Sequence, residues 1–184
     1  MELIPTSFAG LVLIRPRIFE DPRGYFYESY NEQEFKKADI PFDFVQDNQS
    51  ESGKGVIRGL HFQLAPHAQT KLVRVLQGSI YDVAVDLRRG SPTFGKWYGL
   101  ELSGSNKLQL LIPRGFAHGF SVLSDRAMVL YKTDDFYYKE AERGIVFNDP
   151  FLKIDWNTGS SECVVSERDR QLPKFENAEY NFTF

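Results

Sequence analysis

The chain has 184 residues, enough for one domain with a substantial core, and its 42% hydrophobic and 26% charged residues are a globular balance. A net charge of −3 and a pI of about 5.7 disfavour a nucleic-acid backbone as partner, although a local arginine or lysine cluster can still hold a small anion. The single cysteine, Cys163, excludes an intramolecular disulfide and a cysteine-ligated zinc site, and no apolar run is long enough to cross a bilayer.

The opening Met1-Glu2-Leu3-Ile4-Pro5 lacks the basic start and apolar centre of a secretion signal, so a cytoplasmic location is expected. Residues 12–15 read as a strand closed by Pro16. Asp21-Pro22-Arg23-Gly24 is a turn, and 25–30 follow as a strand. Asn31 caps a short helix reaching Ala38, with Glu34 at the capping-box position, and Pro41 ends it. Strands are then expected over 56–63, 72–76 and 80–87, the last two joined as a hairpin through Gln77-Gly78-Ser79. In the third of these, Tyr81, Val83, Val85 and Leu87 alternate with Asp82, Ala84 and Asp86. Further strands are expected over 97–102, 108–112, 120–123 and 128–132, with turns at Gly104-Ser105-Asn106 and Pro113-Arg114-Gly115. The last third is irregular, and Ser166-Glu167-Arg168-Asp169 can start a helical turn. Many short strands separated by turns, with 15% aromatic residues to fill a β-core, predict an all-β fold: an antiparallel jelly roll, sandwich or barrel, with a few short peripheral helices.

Three histidines could carry chemistry: His61, His67 and His118. A lone histidine in a β-protein is commonly structural, but His61 shares an otherwise apolar strand with Arg58, and two such groups in a core need partners or a cavity. Strict alternation sends Arg58 and His61 to opposite faces; a bulge at Gly59 would bring both into one cavity. Lys71 opens the next strand, and a hairpin between the two would bring it near His61. In isolation Lys71 reads equally as a solvated strand end, Tyr131 as a core tyrosine, and Asp169 as a helix-start carboxylate. A metal-binding jelly roll of the cupin type uses a His-x-His pair, and here the second position is Gln63, so no metal is expected.

Ten segments in order resemble the dTDP-4-dehydrorhamnose 3,5-epimerase family over nearly the whole chain. Among them are Asp21-Pro22-Arg23-Gly24-Tyr25-Phe26, the stretch from Phe44 to Ser50, Val56 to Gln63, Thr70 to Val75, Tyr81 to Arg88, Ile112 to Phe120, and Ser166 to Arg170. The resemblance implies one domain over 1–184 with a cupin-like jelly roll. It implies a metal-free, cofactor-free enzyme acting on a dTDP-sugar, and a homodimer that exchanges N-terminal strand material. It also implies roles: His61 as base, Asp169 as its orienting carboxylate, Tyr131 as the opposed acid, and Lys71 facing the C4 oxygen. Arg23, Glu28, Gln46, Asp47, Asn48, Arg58, His118, Glu142 and Arg168 match positions that hold the nucleotide diphosphate or sugar. Tyr137 matches the aromatic that stacks on the base.

The chemistry fits these residue types. Removing a proton beside a ketone creates an enolate, whose oxyanion needs a donor. The base should titrate near neutral pH, and a carboxylate on its other nitrogen fixes the tautomer. Inversion then needs a second proton carrier on the far side of the sugar. Arginines suit a diphosphate, and no dinucleotide-binding or phosphate-loop motif is present. The stretch Thr133-Asp134-Asp135-Phe136-Tyr137-Tyr138 departs from the family pattern, so Tyr138 is a second candidate for stacking. Readings that remain open are a single-carbon epimerase or ketoisomerase, a non-catalytic sugar-nucleotide binder, and a metal-dependent oxygenase.

Overall fold

A computed structural model describes residues 1–160 and 162–184. In chain order the elements begin with strands β1 (Glu2–Pro5), β2 (Val12–Arg15), β3 (Phe19–Asp21) and β4 (Gly24–Phe26), then helix α1 (Glu32–Lys37). Strands β5 (Gln46–Gly53), β6 (Val56–Gln63), β7 (Lys71–Gln77), β8 (Ser79–Asp86) and β9 (Trp97–Ser103) follow. The chain continues through β10 (Gln109–Ile112), β11 (Phe116–Val122), β12 (Arg126–Thr133) and β13 (Glu142–Gly144), and closes with β14 (Val164–Val165) and helix α2 (Glu167–Arg170).

One sheet has the order β1-β2-β10-β7-β12-β5; the facing sheet runs β13-β6-β11-β8-β9, with β14 added beside β6. Pairing is antiparallel apart from β14 on β6, and β3 and β4 form a separate two-stranded hairpin. The expected jelly roll is therefore present. Two expected hairpins are not. β7 and β8 lie in different sheets, as do β6 and β7, so each of these turns carries the chain across the sandwich. Both edges of β7 are filled by β10 and β12, and both edges of β8 by β11 and β9, leaving no edge for a local pairing.

Apolar burial has three layers. Between the sheets, Val73, Val75, Ile80, Ala84, Leu110, Phe120 and Val129 belong to one cluster. Outside the second sheet, Val83, Val85 and Leu87 pack under Leu152, Trp156, Phe175 and Phe182 of the irregular last third. Outside the first sheet, Ile14, Leu72 and Leu111 are covered by Phe35 and Ile40. Both faces of β8 are thus buried, and Asp82 and Asp86, on the polar-looking face, are 0% exposed.

Local rules hold where side chains cap or turn the chain. The Asn31 side chain accepts from the Gln33 and Glu34 amides at the start of α1, but the Glu34 carboxylate goes to Lys37 rather than completing a capping box. The strand expected over 25–30 stops at Phe26, and the one expected at 120 starts at Phe116, which puts His118 on β11. The sequence predicts no strand where β5 lies: its residues are QDNQSESG, an almost wholly polar edge strand.

Candidate active site

A cavity of about 710 Å³ opens where β5, β12 and β7 of one sheet face β6 and β11 of the other. Its wall is set by an irregularity in β6. His118 pairs with His61 and Phe120 with Arg58, so two steps along β11 answer three along β6. The extra residue lies at the expected Gly59 bulge. Gly59 has φ +126°, and a Cβ there would lie 2.5 Å from the Gly119 Cα, so this crossing of two backbones requires glycine. Beyond the bulge the alternation resumes one step out of phase. Arg58, His61 and Gln63 line the cavity; Ile57, Leu60 and Phe62 belong to the outer core, with Ile57 and Phe62 also reaching the cavity wall.

Asp169 reaches His61 from far along the chain. β14 pairs in parallel with Val56 and Ile57, and the Ser166 hydroxyl caps α2 by accepting from the Asp169 amide at 3.1 Å. The Asp169 carboxylate then lies 2.9 Å from His61 Nε2 and accepts from the Gly59 amide at 3.2 Å. Burial acts to raise its pKa, but the hydrogen bond and charge of His61, with the Gly59 and Ser166 contacts, outweigh burial and hold it below the usual carboxylate value. With Asp169 on Nε2, Nδ1 is left as the other imidazole nitrogen.

Lys71 and Tyr131 stand across the cavity on neighbouring strands. The Lys71 ammonium lies 5.7 Å from the Tyr131 ring centroid. Desolvation lowers the Lys71 pKa to about 8, against the opposing pull of Asp82 and Glu142. Burial pushes the Tyr131 phenol up; Arg58 opposes this and Glu142 adds to it.

Gln46, Asn48, Arg58, His118, Tyr137, Glu142 and Arg168 also line the cavity. Arg58 donates to Ser52 at 2.9 Å. Tyr137 donates its hydroxyl to Glu142 at 2.7 Å, and Arg168 pairs with the same carboxylate. Burial would raise the Glu142 pKa, but the Tyr137 hydrogen bond and the Arg168 ion pair bring it below its usual value. Tyr138 is stacked on His67 at 3.6 Å, and of Phe136, Tyr137 and Tyr138 only Tyr137 lines the cavity.

Three expected site residues lie outside this cavity. Asp47 points to the opposite face of β5 from Gln46 and Asn48 and pairs with Lys132 at 2.8 Å. Arg23 sits on the exposed β3–β4 hairpin, paired with Asp21. Glu28 lines a separate cleft of about 250 Å³ with Arg17, Phe19 and Phe35. Conversely, Asp82, not among the expected site residues, accepts from His118 Nε2 at 2.9 Å and is fully buried. The available signal was one of two aspartates, Asp82 and Asp86, alternating with apolar residues in β8.

Known proteins resemble this chain over nearly its whole length. A family model described as dTDP-4-dehydrorhamnose 3,5-epimerase matches residues 5–177. A Pseudomonas aeruginosa protein of that name is 56% identical over 180 residues, covering 97% of this chain and 98% of its own. The crystal structure of the Elizabethkingia anophelis NUHP1 dTDP-4-dehydrorhamnose 3,5-epimerase superposes with a TM-score of 0.91 at 52% identity, covering 96% of this chain and 97% of its own. A Legionella pneumophila dTDP-6-deoxy-D-glucose-3,5-epimerase, solved in complex with dTDP-4-keto-L-rhamnose, gives a TM-score of 0.91 at 47% identity, covering 96% of this chain and 93% of its own. The fold is cupin-like, and the chain belongs to the dTDP-4-dehydrorhamnose 3,5-epimerase family.

Proposed function

We propose that this chain, as one domain over 1–184, inverts C3 and C5 of dTDP-4-dehydro-6-deoxy-D-glucose. The product is dTDP-4-dehydro-L-rhamnose, an intermediate of dTDP-L-rhamnose biosynthesis. The observation that carries the reading is the 2.9 Å His61–Asp169 contact in the same cavity as Lys71 and Tyr131.

His61 takes the proton beside the C4 ketone. Asp169 accepts from Nε2–H, so the lone pair is on Nδ1, and the ionised carboxylate favours the imidazolium that forms. With its pKa lowered to about 8, Lys71 is still mostly protonated at pH 7 and donates to the oxyanion growing at C4. Tyr131, its pKa raised, keeps its phenolic proton at neutral pH and delivers it to the opposite face of the sugar. Each acid or base in such a scheme contributes roughly 10²–10⁴-fold. Proton transfer beside a ketone calls for no redox cofactor, and Gln63 takes the position of the second histidine of a metal-binding cupin.

Arg58 and Arg168 suit the diphosphate, with Gln46, Asn48, His118 and Glu142 completing the polar wall. Tyr137 offers its ring to the base. The working unit is a homodimer in the cytoplasm. Exchange of N-terminal strand material would carry Arg23 and Glu28 from the exposed hairpin region towards a partner's cavity. The exposure of Phe19, Tyr25 and Phe26 on that hairpin, at 50%, 57% and 68%, supports such a contact. No helix among the described residues is long and apolar enough to cross a membrane.

Incubating the purified chain with dTDP-4-dehydro-6-deoxy-D-glucose and reading the product's configuration by NMR tests the reading. Inversion at both carbons is expected; a product inverted at one carbon alone would show a single-carbon epimerase instead.

A further inference from the structure

Gln63 lies two residues beyond His61 on β6 and is 4% exposed. Its amide is taken up by three backbone groups in two loops. Nε2 donates to the His67 carbonyl at 2.7 Å and to the Phe136 carbonyl at 3.1 Å, and Oε1 accepts from the Tyr138 amide at 2.6 Å. Both amide protons are thus used within the protein. The two loops, 64–70 and 134–138, leave different sheets and are also joined where the Thr70 amide donates to the Asp134 carboxylate.

The grip on 134–138 has a particular geometry. Gln63 holds the carbonyl of the residue before Tyr137 and the amide of the residue after it. Tyr137 itself is fixed by its own amide, which donates to Gln46 at 3.3 Å, and by its hydroxyl on Glu142. The loops are further tied by Gln69 donating to the Asp135 carbonyl at 2.8 Å and by the His67–Tyr138 stack. One buried side chain therefore anchors the peptide frame on both sides of the aromatic at the cavity wall.

We infer that Gln63 is a positioning residue: it holds the loop carrying Tyr137 in place so that the platform for the nucleobase is formed before the nucleotide arrives. This inference rests on the functional reading above. A loop already ordered loses less freedom on binding, so its anchor tunes nucleotide affinity through the loop it holds. The proton-transfer groups His61 and Tyr131 make no hydrogen bond to this anchor, so the chemical step should be largely insensitive to it.

The test is a double-mutant cycle between Gln63→Leu and Tyr137→Ala, read by calorimetric binding of dTDP and by steady-state kinetics. In the otherwise wild-type chain, Gln63→Leu should raise the dTDP Kd and the substrate KM about tenfold while kcat stays within about twofold. In the Tyr137→Ala background the same change should alter Kd by less than about twofold, because the platform it holds is gone. A structural role alone would give the same loss in both backgrounds, and that result overturns the inference. So does a folded Gln63→Leu chain that binds dTDP as the wild type does. If Gln63→Leu does not fold, Gln63→Glu, which keeps the acceptor for Tyr138 and loses both donors, carries the same cycle. A wild-type chain that fails to bind dTDP sinks the functional reading itself; a wild type that binds, beside a variant that binds equally, sinks this inference alone.

Discussion

Lys71→Met should stabilise the fold while disabling the enzyme. Burial lowers the folded-state pKa of Lys71 from 10.5 to about 8. The sign follows from proton counting: between these values the unfolded chain binds more protons than the folded one, so stability rises with pH across that window. Below about pH 8 the charged, desolvated ammonium opposes folding in full. At about 1.4 kcal/mol per pH unit, a fall of roughly 2.5 corresponds to about 3 kcal/mol. Methionine has similar length and no charge to desolvate. It forgoes the cation–π contact with Tyr131, about 0.5–1 kcal/mol, so a net gain of about 2 kcal/mol is expected at pH 7. The gain should shrink by about 2 kcal/mol between pH 7 and pH 10, as Lys71 sheds its proton in the folded wild type. Urea unfolding of both proteins at the two pH values measures this. Loss of the oxyanion donor should lower kcat about 10²–10³-fold. A variant less stable than wild type at pH 7, or a stability difference independent of pH, would refute the reasoning.

Asp169→Asn should leave dTDP binding intact and reduce kcat about 10²–10⁴-fold, because an amide cannot hold the imidazole tautomer or support its charge. Because the Asp169 pKa is depressed in the folded state, its stabilising effect is present above the ordinary value of 3.8 and disappears as pH falls through the lower folded value. Acid unfolding followed by circular dichroism should therefore separate wild type from variant at neutral pH and bring them together in strong acid. Tyr131→Phe should still wash substrate protons into solvent while yielding little inverted product; normal product formation would remove Tyr131 as the acid. Gly59→Ala should destabilise the chain by about 3 kcal/mol or more, since its Cβ would meet the Gly119 Cα at 2.5 Å and the His118 carbonyl at 2.9 Å, at a positive φ. Thermal unfolding of that variant at wild-type temperature would count against the tight crossing.

Much of this architecture was legible in the sequence because the signals were local. The β8 strand, the Asn31 cap and the glycine inside an apolar strand each depend on near neighbours, and each reads true, although the polar face of β8 is buried like its apolar one. What stayed hidden depends on distant partners. The turn at Gln77-Gly78-Ser79 looks like a hairpin, yet the strands it joins belong to opposite sheets because β10 and β12 already occupy both edges of β7. β5 carries no apolar pattern, being an edge strand whose inward residues Gln46 and Asn48 line the cavity. Asp169 lies 108 residues from the histidine it contacts, and only family resemblance pointed to the pair. The buried Asp82 was visible only as one polar member of an alternating strand. Arg23 and Glu28 matched site positions in sequence, yet in the folded chain they lie away from the cavity.

The central claim is that one imidazole–carboxylate pair removes protons from both carbons flanking the ketone. Its most direct test is substrate turnover in D₂O by the wild-type chain and by His61→Ala, with deuterium at C3 and C5 read by NMR and mass spectrometry. The account predicts label at both carbons with the wild type and at neither with His61→Ala. Label at one carbon alone in the wild type, or exchange near the wild-type rate in His61→Ala, would contradict it.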